Sequence, residues 1–92
     1  MVDRDPSNPM FRFSLAQALA AEGSGAEALP HFEFCAGTKA DWMMPRILAG
    51  KLLVQLGRPT EARPHLESAL ALACDQHHED PERELRALLA EI

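Results

Sequence analysis

Two consecutive stretches decide how this chain folds: residues 9–42, PMFRFSLAQALAAEGSGAEALPHFEFCAGTKADW, and residues 43–76, MMPRILAGKLLVQLGRPTEARPHLESALALACDQ. Laid over one another without a gap, they agree at ten of 34 positions. The pairs are Met10/Met44, Arg12/Arg46, Leu19/Leu53, Gly23/Gly57, Glu27/Glu61, Ala28/Ala62, Pro30/Pro64, His31/His65, Glu33/Glu67 and Asp41/Asp75. A composition this rich in Ala, Leu and Glu would give roughly three by accident. Phe13/Ile47, Ala16/Gly50, Phe32/Leu66 and Cys35/Ala69 add conservative pairs. A fixed period of this length is the mark of a stacked repeat.

Each copy reads as two helices broken at its glycine. Asn8 is placed to cap the first, with Pro9 at the position where a missing N–H costs nothing. Met10–Glu22 holds no breaker, and Gly23-Ser24-Gly25 ends the run. Ser24 then predicts a cap for a second helix, with Glu27 at capping-box spacing and Gly37 as the stop near Ala36. In the second copy Asp41 predicts a cap for a helix over 42–56, Gly57 ends it, and another begins near Thr60 after Arg58-Pro59. Pro30 and Pro64 fall beyond the first turn at the same register, which predicts curvature rather than a break. A fifth helix is expected over about 81–92, where Leu85, Leu88, Leu89 and Ile92 keep helical spacing. No segment alternates as a strand would, so the fold class is all-α, one domain over 1–92.

Hydrophobic residues at 47% and charged residues at 25% describe an ordinary globular chain. The net charge of −5 argues against nucleic acid as a partner. Two cysteines are too few for a disulfide scaffold. No apolar leader opens the chain and no run approaches ~18 apolar residues, so no membrane association and a cytoplasmic location are expected.

The order of large, small and glycine positions resembles the tetratricopeptide repeat. Leu15-Ala16, Leu19, Gly23, Glu27-Ala28, Phe32 and Cys35 follow it in repeat one (9–42). Ala49-Gly50, Leu53, Gly57, Glu61-Ala62, Leu66 and Ala69 follow it in repeat two (43–76). Arg12 and Arg46 stand where that family has a large aromatic. The resemblance implies a right-handed α-solenoid of two helix hairpins with a C-terminal capping helix, five helices in all. It also implies a binding scaffold whose concave face is lined by the first helix of each repeat.

On that helix Met10, Phe13, Gln17 and Ala20 recur as Met44, Ile47, Lys51 and Val54, spaced three, four and three residues apart on one side. Met10, Phe13, Gln17, Met44, Ile47, Lys51 and Val54 are therefore the candidate face for a peptide or helix of another protein. Phe13 and Ile47 also suit packing between repeats. Residues 39–63 sum to +3 between ends of −3 (1–38) and −5 (64–92). A basic middle between acidic ends suits either an acidic peptide or association of the chain with itself as a homodimer.

His31 and Cys35 lie one turn apart, and Cys74, His77, His78 and Glu82 cluster, but in no zinc spacing, so neither metal nor cofactor is expected. Ser14, Ser24 and Ser68 occupy no nucleophile elbow, and no glycine loop cradles a phosphate. The chain reads as a binding protein rather than an enzyme.

Overall fold

The computed structural model describes residues 8–92. Five helices follow one another: α1 (Pro9–Ala21), α2 (Gly25–Thr38), α3 (Met43–Gln55), α4 (Pro59–Asp75) and α5 (Glu79–Glu91). No strand occurs among the described residues. Each helix packs chiefly on its neighbour in the chain, α1 on α2, α2 on α3, α3 on α4 and α4 on α5, as a stack of hairpins requires.

The helix ends follow from local chemistry, with three departures from expectation. Asn8 caps α1 through its side-chain oxygen, which accepts from the amides of Met10 (2.9 Å) and Phe11 (3.2 Å). Gly23 and Gly57 take left-handed φ values of 87° and 76°. Around each, the paired bonds of a Schellman stop form: Gly23 N–H to Ala20 O with Ser24 N–H to Leu19 O, then Gly57 N–H to Val54 O with Arg58 N–H to Leu53 O.

Ser24 sits at the start of α2, but its side chain makes no capping bond. Its backbone is already committed to closing α1, and its φ/ψ of −99°/52° is not the extended geometry from which a hydroxyl reaches back. Gly37 does not stop α2, which runs on to Thr38 and leaves through an extended Lys39. The Thr38 hydroxyl donates to Cys35 O there (2.8 Å), satisfying one end carbonyl. Asp41 does not cap α3. Trp42 takes the cap position, drawn onto the Phe13 ring at 5.0 Å, while Asp41 O accepts from Gln76 Nε2 (3.1 Å). Pro30 and Pro64 both lie inside continuous helices, exposed, where the lost N–H bond faces solvent.

α4 ends on the same stop as α1 and α3, but with His77 at the left-handed position (φ 59°), bonded to Cys74 O while His78 N–H reaches Ala73 O. A residue with a Cβ is strained there by ~1–2 kcal/mol. The exposed His77→Gly is expected to raise stability by about 1 kcal/mol, seen as a higher urea midpoint with unchanged slope. A lowered midpoint would show that the imidazole holds the turn. This early stop lets α5 begin at Glu79 rather than 81, with Pro81 tolerated in its first turn.

The core runs through the seams between the helices. Ala16, Ala28, Leu53, Ala62, Leu66, Ala69 and Leu85 are fully buried, and Phe32 is 1% exposed. A Cβ on Gly50 would lie 2.5 Å from Leu66 Cδ2, so the Leu66 side chain packs into the space that glycine leaves between α3 and α4. Leu56 caps α3 and is 39% exposed.

Candidate functional site

Met10 at 60% and Met44 at 47% exposure are, with Leu56, the exposed large apolar side chains among the described residues. They occupy equivalent first-turn positions of α1 and α3, and both border one groove of about 590 Å³ with Phe13, Lys39, Asp41, Trp42 and Gln76. Its floor is aromatic. Phe13 packs edge-on against the buried Phe32 (5.7 Å, 72°) and tilts against Trp42. The surface continues down α1 and α3 as a cleft bordered by Gln17, Ala20, Ala21, Leu48, Lys51 and Gln55, over Phe32 and Leu52. A third depression, between α3 and α5, takes in Lys51, Val54, Gln55, Glu84, Leu88 and Glu91.

Of the seven residues expected on this face, Met10, Phe13, Gln17, Met44, Lys51 and Val54 line these three depressions. Ile47 does not. It is 4% exposed and belongs to the core, which removes it from any contact surface. Phe13 and Val54 are half-buried and pack on the core as well as lining the surface. The reason is angular. At about 100° per residue, Leu48, Lys51 and Gln55 stay within about 40° of Met44, whereas Ile47 and Val54 are turned about 60–80° to one side, toward the core. The groove follows steps of four, three and four, which brings in Leu48 and Gln55 in place of Ile47. Trp42 and Gln76 come from loops that only the fold brings to the groove.

The electrostatics also differ from the sequence expectation. Lys51 donates to Glu84 of α5 (2.9 Å). Arg58 grips Glu61 (2.6 Å), and Arg63 lies 3.8 Å from Glu67. Arg46 turns inward to Ala36 O (3.3 Å), its buried Nε without a protein partner. The basic middle is thus largely neutralised within the molecule, and the groove is not basic.

The histidines and cysteines serve the scaffold. Arg12 Nε donates to His31 Nδ1 (2.7 Å), and its guanidinium lies 4.1 Å from the Phe34 ring centroid. Burial, aided by Arg12, holds the His31 imidazole below its ordinary pKa, which keeps Nδ1 an acceptor. His65, at the same repeat position, faces Glu33 of α2 instead (3.2 Å). The buried Cys35 thiol donates to Pro9 O (3.3 Å), and burial pushes its pKa up. Among the described residues no group of three or more His, Cys, Asp or Glu could hold a metal, and no helix is long and apolar enough to cross a membrane.

Two tetratricopeptide repeat family models match the chain, over residues 2–33 and 43–68. No curated protein matches it. A tetratricopeptide repeat domain protein from Salinibacter ruber, solved by NMR in solution, superposes with a TM-score of 0.80 at 25% identity, over 96% of this chain and 89% of that one. Two matches in tandem to the same repeat, together with the superposition of nearly the whole chain, settle the family: the chain belongs to the tetratricopeptide repeat family, an all-α solenoid.

Proposed function

We propose that the chain is a cytoplasmic adaptor that receives a segment of another protein in the groove across α1 and α3. Tetratricopeptide repeats are non-catalytic scaffolds that generally mediate protein–protein interaction. The observation that carries the finer reading is the exposed pair Met10 and Met44 over an aromatic floor. Methionine side chains are unbranched and adaptable, suited to an apolar contact of variable shape. A core complete in itself has no use for two of them held in solvent at equivalent turns.

The test is Met10→Asp combined with Met44→Asp. Both sites are on the surface, so folding is expected to persist, read from helical dichroism and the thermal midpoint. Partner capture from a lysate is expected to fall by about tenfold or more, since each buried methionine contributes ~1.5–3 kcal/mol. Phe13 and Lys51 are poorer test positions because they support Phe32 and Glu84. Capture that persists undiminished removes the groove from the reading. Sedimentation of the same two proteins decides the self-association alternative: a dimer that the double substitution dissolves assigns the face to a second copy.

A further inference from the structure

We propose that the α1 wall of the groove is held by an acid-sensitive latch: Arg12 of α1 bonds His31 of α2 beside the Phe34 ring, and the bond is lost when His31 takes up a proton. The latch stands on the first hairpin alone; its consequence for binding rests on the groove reading above. Arg12 belongs to the same turn of α1 as Met10 and Phe13, which border the groove. The bond from the Cys35 thiol to Pro9 O ties the start of that turn to α2 as well.

The chemistry turns on one lone pair. A guanidinium keeps its proton at every pH a folded protein meets, so Arg12 Nε is always a donor. Its 2.7 Å bond to His31 Nδ1 requires a ring nitrogen without hydrogen. A neutral imidazole supplies one, whereas an imidazolium has two donors and no acceptor. Protonation removes the bond and sets a second positive charge against the guanidinium, which lies 4.1 Å from the Phe34 centroid. Among the described residues no carboxylate is bonded to His31 to offset that charge, Glu27 one turn earlier on α2 included, and Arg12 is the charged group whose field acts on it. Charged groups on the other packed helices have their own partners: Arg46 of α3 bonds Ala36 O, and Glu33 of α2 faces His65 of α4.

Repeat two is wired the other way. His65 holds the position of His31 but meets a carboxylate at 3.2 Å, so a proton there strengthens its contact. Acid loosens α1 on α2 while firming α2 on α4. His31 lies below its ordinary pKa through burial first and Arg12 second. The latch therefore contributes fully above about pH 6.5, the ordinary histidine value, and its contribution is lost as pH falls through the lower value of the folded chain.

Histidine ring signals of the full chain, followed by NMR from about pH 7.5 to about pH 4.5, test this. His31 is expected to titrate below its ordinary value, with the amides of Met10 and Phe13 and the Met10 methyl moving at the same midpoint. Arg12→Gln is expected to raise that midpoint. His31→Asn, whose Oδ1 accepts at every pH in the range, is expected to keep the fold and abolish the α1 response. A response of α1 that survives His31→Asn, a His31 midpoint at or above its ordinary value, or one that Arg12→Gln does not raise overturns the latch. None of these readouts needs a partner, so such a result leaves the groove reading standing. The expected titrations together with capture indifferent to Met10→Asp/Met44→Asp would support the latch and overturn the groove reading and its consequence for binding.

Discussion

Alanine at position 32 is expected to cost ~3–5 kcal/mol, enough to populate the unfolded chain at room temperature. Phe32 is 1% exposed and stands in the core with the buried residues of the first hairpin. Ala16 and Ala28, both fully buried, are small so that α1 and α2 can approach. A cavity bounded by alanines on two rigid helices collapses poorly, which places the cost toward the upper part of the range. The loss reaches the groove as well. Phe13 rests edge-on against Phe32, and Trp42 rests on Phe13. Trp42 is the chain's sole tryptophan, so its fluorescence reports the groove while far-ultraviolet dichroism reports the helices. In urea, Phe32→Ala is expected to lower the midpoint by both signals, and Phe32→Leu, which installs the residue repeat two uses at Leu66, to cost only about 1–2 kcal/mol. A cost below ~1 kcal/mol for alanine would mean that the first seam does not depend on its ring.

The same chain of contacts shows what a sequence can and cannot disclose. The Asn8 cap and the stops at Gly23 and Gly57 were legible because each depends on residues within a few positions of one another, and the repeat length because two copies 34 residues apart agree. The start of α3 was not: Trp42 is held by Phe13, 29 positions away, and that contact outweighs the local claim of Asp41 as a cap. The end of α4 was missed because its left-handed residue is His77, which carries no signal comparable to glycine. For the site, the right helix and the right end of it were readable from the paired methionines. The choice between Ile47 and Leu48 was not, since each lies on the Met44 side of α3 and only the packing of α2 and α4 settles which turns inward. Charge was the least legible property. A segment sum of +3 says nothing about Lys51 meeting Glu84 across 33 residues, and the apparent basic middle dissolves once such partners are in place. Equal residues also took unequal roles: His31 receives Arg12 beside the Phe34 ring, whereas His65 faces Glu33 across the repeat boundary.

Gly50→Ala is expected to destabilise by ~1–3 kcal/mol, although alanine is the better helix former by about 1 kcal/mol. The added methyl would lie 2.5 Å from Leu66 Cδ2 and 2.7 Å from Leu66 Cγ. Leu66 is fully buried, so relieving the overlap means shifting its side chain within the packed core or parting α3 and α4 along the seam that Leu53 and Ala62 also fill. Gly37→Ala provides the internal control. Gly37 is helical without a left-handed φ, and a Cβ there meets nothing within 4 Å. That substitution is expected to stabilise by ~0.5–1 kcal/mol through propensity alone. The two glycines should therefore move the urea midpoint in opposite directions. Leu66→Ala alone is expected to cost ~2–5 kcal/mol by leaving a cavity. Combined with Gly50→Ala, the new methyl enters the space that the leucine vacates, so the double variant should cost less than the two single losses added, by at least ~1 kcal/mol. Strict additivity would mean that the two side chains do not compete for one volume. Since Gly50→Ala pushes on α3, the helix that carries Met44, it should also weaken capture at the groove more than its stability loss alone explains, whereas Gly37→Ala should leave capture unchanged.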